Sequence, residues 1–220
     1  GASDNLSFNE NVYIGYSSGS SSTTGSFNTA VGSTSLNNTT TGSSNSAFGS
    51  RALRDNTTGT NNTGIGIDAL RSNVSGANNT AFGSGSLRSN LFGSNNTGAG
   101  FETLRDNTNG SSNVAFGYNA MRSNTVGGSN TAMGYQAMLF STTSTLNVAV
   151  GYQTLYFNTT GNYNTAVGAA ALYRNSTGYN NTAVGYEALS SGNTTGNNNV
   201  AIGYRAAFNN TIGYTNVTVG

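Results

Sequence analysis

A chain of 220 residues would ordinarily make one or two globular domains, yet here only 7% of residues are charged, 35% are hydrophobic, and 31 are glycine. A net charge of +1 excludes a global field that would draw nucleic acid or an anionic membrane. Absent histidine and cysteine exclude disulfides and thiolate or imidazole metal sites, and no apolar run reaches the roughly 18 residues that a bilayer span needs.

The opening Gly1-Ala2-Ser3-Asp4 has no signal-peptide layout, as expected of a processed protein or a fragment. Residues 1–14 read as the back part of an earlier coil, with Phe8 where later coils hold a second glycine. From Asn11 onward one unit repeats. Its anchors are Gly15, Gly32, Gly49, Gly66, Gly83, Gly100, Gly117, Gly134, Gly151, Gly168, Gly185, Gly203 and Gly220, spaced by 17 residues except for 18 between Gly185 and Gly203. Four residues before every anchor stands asparagine: Asn11, Asn28, Asn45, Asn62, Asn79, Asn96, Asn113, Asn130, Asn147, Asn164, Asn181, Asn199 and Asn216. So short a fixed period means one structural unit stacked many times. The composition alone suggests disorder, but disorder does not require an asparagine at a fixed interval. Residues 1–220 are therefore expected to form a single repeat domain.

Each repeat is expected to hold two short strands, Asn-Thr-Ala-Val-Gly-Tyr and Ala-Leu-x-x-Asn, each followed by a glycine-bearing turn. The second glycine recurs ten residues past the anchor, for example at Gly25, Gly42, Gly59 and Gly76, and a helix would not tolerate it there in every turn. Ser144 replaces it once, and an insertion near Gly192 moves it to Gly196, so these two coils are expected to be irregular. The fold class that follows is all-β: a parallel β-solenoid of 17 residues per coil and about 12–13 coils, stacked at roughly 4.8 Å.

Stacking puts identical residues in columns. A Val-type column (Ile14, Val31, Phe48, Ile65, Phe82, and on to Val219) and a Leu column (Leu36, Leu53, Leu70, Leu87, Leu104, Met121, Met138, Leu155, Leu172, Leu189) are expected to meet inside the coil. The alanine column (Ala30, Ala47, Ala81, and on to Ala201) would then face the opposite way. The asparagines Asn28 to Asn199 are expected to form a structural ladder of carboxamides bonding from coil to coil. Burying one Val-sized and one Leu-sized side chain returns less than ordering a coil costs, which predicts self-association. The alanine column, or the tyrosines Tyr16, Tyr118, Tyr135, Tyr152, Tyr186 and Tyr204, would carry it, with three parallel chains as the first arrangement; the alternative is that the alanines line a thin interior.

The motif Asn181 to Gly185, repeated at Asn199 to Gly203, resembles the head repeats of YadA-like trimeric autotransporter adhesins. The fuller unit, Asn164 to Gly178, is similar to repeats of phage and environmental-bacterial tail-fibre-like proteins. The resemblance covers nearly the whole chain. It implies a left-handed parallel β-roll, trimeric assembly, and surface attachment or host binding.

Catalytic machinery is nearly absent. The acids and bases are Asp4, Glu10, Asp55, Asp68, Glu102, Asp106 and Glu187, scattered over the columns. Asp68 and Glu102 share an offset two coils apart, about 10 Å by stacking, but on an exposed stripe with no evident cleft. No enzyme, cofactor or metal site is expected. Arg54, Arg71, Arg88, Arg105 and Arg122 occupy one offset in five consecutive coils and form a candidate ligand-binding stripe for anionic polysaccharide, phosphate or a neighbouring subunit's carboxylates. The bland alternative is a solvated arginine face relieved by Asp55 and Asp106. Further along, Tyr156, Phe157 and Tyr173 form a candidate aromatic patch, suited to sugars or to assembly. Asn56, Asn73, Asn158, Asn175 and Asn193 lie in Asn-x-Ser/Thr sequons, read as outward-facing glycosylation positions.

The leading functional expectation is an adhesive, self-assembling rod of an extracellular, cell-surface or virion fibre. Partners would be its own copies, as a homotrimer or an end-to-end filament, and surface polysaccharide or glycans, without nucleic acid or membrane insertion. A carbohydrate-binding module using the Arg or aromatic stripe is the rival. An ice-binding solenoid is the third reading, weakened by a threonine column broken at Ser46, Val114 and Val148.

Overall fold

The computed structural model describes residues 10–192, 195–210 and 213–220; Phe8 and Asn193 lie outside them. The chain divides into two compact units, Gly1–Ser111 and Ser112–Gly220. The first unit holds strands β1 (Val12–Ile14), β2 (Thr29–Val31), β3 (Ser46–Phe48), β4 (Thr63–Ile65), β5 (Thr80–Phe82) and β6 (Thr97–Ala99). The second holds β7 (Val114–Phe116), β8 (Thr131–Met133), β9 (Val148–Val150), β10 (Thr165–Val167), β11 (Thr182–Val184), β12 (Val200–Ile202) and β13 (Val217–Val219). Within each unit successive strands pair in parallel with like opposite like, as in Thr165↔Thr182, Ala166↔Ala183 and Val167↔Val184. This is a parallel β-solenoid. Across the long interval the register holds, with Thr182 opposite Val200, so the extra residue is absorbed outside the sheet.

Among the described residues each coil contains one three-residue strand and not two. The expected second strand is a chain of turns, because its leucine is left-handed: φ is 45–53° at every Leu or Met of that column. A left-handed non-glycine residue costs roughly 1–2 kcal/mol. What offsets it is burial, for these side chains are fully enclosed in both units. Two more left-handed residues per coil, such as Asp68 and Asn78, fold the remaining backbone into a tight loop whose amides still reach the next coil. Leu53 N–H, for instance, donates to Ala69 O at 2.9 Å.

The sheet also faces the other way from expectation. The alanine column is fully buried, whereas the Val-type column points outward, with Phe82 58% exposed and Ala81 0%. The core is therefore alanine against leucine, closed at one side by a further small column, Ser35, Ala52, Ala69, Ser86 and Thr103 in the first unit. The physical reason is thickness. A coil this narrow cannot interleave two large side chains across its interior without overpacking, so the bulkier residue of each Thr-Ala-Val strand is excluded. Self-association through the alanines is thereby ruled out, and they line a thin interior.

The asparagine ladder forms as expected and does more. Asn164 Nδ2 donates to Asn147 Oδ1 at 3.1 Å and to Gly178 O at 2.8 Å, while its Oδ1 accepts from Asn181 N at 3.0 Å and Asn181 Nδ2 at 3.1 Å. Each carboxamide thus ties two coils through side chain and backbone together. A second ladder runs parallel to it, through Asn56, Asn73, Asn90 and Asn107 in the first unit. The two converge on the second glycine: Gly59 O accepts from both Asn45 Nδ2 (2.9 Å) and Asn56 Nδ2 (3.0 Å). A Cβ on Gly59 would come 2.5 Å from Gly76 O and 2.7 Å from Asn73 Nδ2, which is why that offset keeps glycine. Where Ser144 replaces it, the ladder asparagine is replaced too, by Ser141, whose shorter side chain leaves room and whose Oγ bonds Ser144 Oγ. Asn130 Nδ2 still donates to Ser144 O at 2.8 Å, and β9 keeps register with both neighbours. The irregularity expected there does not occur.

Candidate ligand-binding surface

The second ladder corrects the sequon reading. Asn56, Asn73, Asn158 and Asn175 are fully buried, and each Nδ2 donates to a glycine carbonyl three residues on. A folded coil presents no acceptor amide at these positions. Asn193 lies outside the described residues.

Arg54, Arg71, Arg88 and Arg105 do fall at one offset in successive coils of the first unit, all half-buried, and Arg122 takes the same half-buried place in the second. Carboxylates already answer most of them. Arg54 forms a two-point pair with Asp55 (2.8 and 2.6 Å), Arg105 another with Asp106 (2.7 and 2.8 Å) plus Glu102 at 3.2 Å, and Arg71 stands 3.8 Å from Asp68. Asp68 belongs chiefly to Arg51, at 2.7 and 2.8 Å, and this hydrogen-bonded guanidinium holds the Asp68 carboxyl below its ordinary value. The same kind of hydrogen bond, from Asp68, Asp55 and Asp106 respectively, raises Arg51, Arg54 and Arg105. The stripe is thus ion-paired at Arg54 and Arg105, while Arg71 only stands near Asp68 and its buried Nε makes no hydrogen bond. Arg51 was legible in the sequence, since it shares Asp68's offset one coil away; Arg205 and Glu187 repeat the device at 2.9 Å. Asp68 and Glu102, aligned by offset, are each engaged by arginine.

Tyr156, Phe157 and Tyr173 do come together, with Phe140. Tyr156 stacks on Tyr173 at 5.1 Å and Phe140 on Phe157 at 5.5 Å, and the two stacks meet edge to face, Tyr156 to Phe157 at 4.7 Å. Burial raises the Tyr156 hydroxyl above its ordinary value. The ring faces are largely spent on each other, so the patch is first a packing device that leaves edges for a ligand. Beside it, Phe157, Thr159, Arg174 and Ser176 line a shallow depression of about 400 Å³.

A second aromatic column, set at the residue after the anchor, also stacks ring on ring but is interrupted once. In the second unit Tyr118, Tyr135 and Tyr152 stack at 5.3 Å with interplanar angles of 9° and 6°, and Tyr186 stacks on Tyr204 at 5.5 Å. Between Tyr152 and Tyr186 the column position is Ala169. A cleft of about 340 Å³ opens there, within the range of small-ligand sites. Sequence reasoning passed over it, although the missing tyrosine is visible as a gap in the column. On the outward strand face, among the described residues, Phe48, Phe82 and Phe116 protrude beside the column of Ser46, Thr80 and Val114 and leave that face uneven.

Among the described residues no three His, Cys, Asp or Glu side chains cluster as metal ligands, and no helix is long and apolar enough to cross a membrane. Comparison with protein-family models, curated proteins and solved structures finds no match to the chain.

Proposed function

We propose that this chain is a structural repeat segment of an extracellular or virion surface fibre, self-assembling and adhesive. One observation carries the reading: each coil commits its interior to the coils above and below, through Ala, Leu and two asparagine ladders, while its outward positions vary. Such a scaffold extends by repetition and leaves its flanks free for recognition. The likeness to adhesin-head and tail-fibre repeats supports the same reading. The carboxylates Asp55, Asp68, Glu102, Asp106 and Glu187 are each paired with arginine, which supports a role without catalysis.

Self-association fits the outward Val-type column in place of the alanines. In the first unit it exposes Ile14, Phe48 and Phe82, and in the second Phe116, Met133 and Ile202, so each unit by itself offers an apolar line for a homotrimer or a lateral filament contact. The test is light scattering after gel filtration for subunit number, with electron microscopy and fibre diffraction for an axial repeat near 4.8 Å. Trimers or filaments are expected. A monomer at all concentrations, with no fibre in native material, refutes the proposal.

A carbohydrate-binding role is the second reading. The cleft in the tyrosine column favours it over the arginine stripe, where Arg54 and Arg105 are already paired with carboxylates.

A further inference from the structure

We infer that the gap in the tyrosine column at Ala169 is a binding site for one pyranose ring of a glycan, held between Tyr152 and Tyr186. The inference sharpens the carbohydrate reading and does not depend on whether the chain builds a fibre.

The geometry is that of a stack with one ring removed. Neighbouring rings in this column lie 5.3–5.5 Å apart. Tyr152 and Tyr186 belong to coils two steps apart, so about 10 Å separates them by stacking. A ring placed midway stands about 5 Å from each face, the spacing the column already uses. Both flanking rings are open, Tyr152 at 53% and Tyr186 at 49% exposure. Ala169 supplies a low floor, and Tyr173 closes one side.

The rim chooses the occupant. An aromatic side chain would need only the two faces, but the cleft also presents Gln153 and Glu187. Gln153 Nε2 donates to Gln136 Oε1 at 2.8 Å, which fixes the amide and leaves its oxygen as an acceptor. Glu187 is held by Arg205 at 2.9 Å, which fixes the carboxylate at the rim. A pyranose matches both demands. Its axial C–H edges carry partial positive charge toward the negative faces of the tyrosines, and its equatorial hydroxyls project outward to the amide and carboxylate oxygens. Two acceptors at the rim favour a neutral or amino sugar over an acidic one.

The experiment uses the full chain. Glycan-array screening identifies a binding oligosaccharide, and calorimetry with that oligosaccharide compares wild type, Ala169→Tyr and Tyr186→Ala. Ala169→Tyr fills the slot with the residue the column carries in neighbouring coils, so it keeps the fold, checked by an unchanged melting curve. Expected is binding by wild type and at least a tenfold loss in both variants, with saturation-transfer NMR placing pyranose protons against tyrosine. Binding that survives Ala169→Tyr overturns this site while leaving a carbohydrate role elsewhere on the surface. No binding to any glycan by wild type overturns both. If N-acetyltyrosinamide competes for the slot and sugars do not, the occupant is an aromatic side chain of a protein and the inference fails.

Discussion

Replacing Asn164 by alanine tests the physical centre of the fold. Four side-chain hydrogen bonds disappear, to Asn147 Oδ1, Gly178 O, Asn181 N and Asn181 Nδ2, in a place with no solvent access. Gly178 O retains Asn175 Nδ2 at 3.0 Å and Asn181 Nδ2 retains Gly196 O at 2.8 Å, but the Asn181 amide loses the oxygen it donates to. At about 1 kcal/mol per bond, plus about 1–3 kcal/mol for a buried orphan amide, the cost is about 5–7 kcal/mol. That is a large share of the roughly 5–15 kcal/mol a domain possesses. Because coils are coupled chiefly to neighbours, the loss should first appear as amide-exchange protection vanishing around residues 147–196. Urea titration followed by circular dichroism measures the total, with exposed Thr177→Ala as a control expected within about 0.5 kcal/mol of wild type. Asn164→Asp refines the test. A buried carboxyl has a raised folded-state pKa, so its penalty is smallest below the unfolded value of about 3.9 and grows as pH rises toward the folded value. The reasoning is refuted if Asn164→Ala costs under 1 kcal/mol, or if the Asp variant is no less stable at pH 7 than at pH 4 relative to wild type.

Leu70→Ala should cost about 2–5 kcal/mol in a urea melt, whereas Phe82→Ser, on the outward face, should leave the melt nearly unchanged and weaken self-association in light scattering. Gly59→Ser should be severely destabilising, and adding Asn56→Ser should recover at least about 1 kcal/mol, as the natural Ser141–Ser144 pair implies; strict additivity of the two changes would contradict the packing explanation. The Arg51–Asp68 pair contributes stability present above the unfolded Asp value and lost as pH falls through the depressed folded one. Asp68→Asn should therefore flatten the acid limb of the stability curve only slightly, because water screens so accessible a pair.

Much of the architecture could be read from residue spacing. A fixed interval with asparagine and glycine at fixed offsets leaves one economical solution, in which each carboxamide finds its twin one coil away, and the parallel register of β1 to β6 and of β7 to β13 follows. The ion pairs were legible by the same rule, since opposite charges at one offset, Arg51 and Asp68 or Glu187 and Arg205, must lie one coil apart. The gap at Ala169 was equally visible, but nothing marked it as a cleft until the flanking rings were known to stay open.

What the spacing left undecided was which side of the coil is inside. Thr-Ala-Val alternates, so its two faces are separated by sequence, but hydrophobicity points Val inward and points the wrong way. Tertiary structure reverses it, because a left-handed Leu70 swings its side chain across the narrow interior and leaves space for Ala81 and not for Phe82. The same left-handed turns carry Asn56 and Asn73 inward from a segment that reads as exposed loop. Periodicity is a property of the chain and survives in one dimension. Inside and outside depend on backbone handedness and on the width of the enclosed space, and these exist only once the coil has closed.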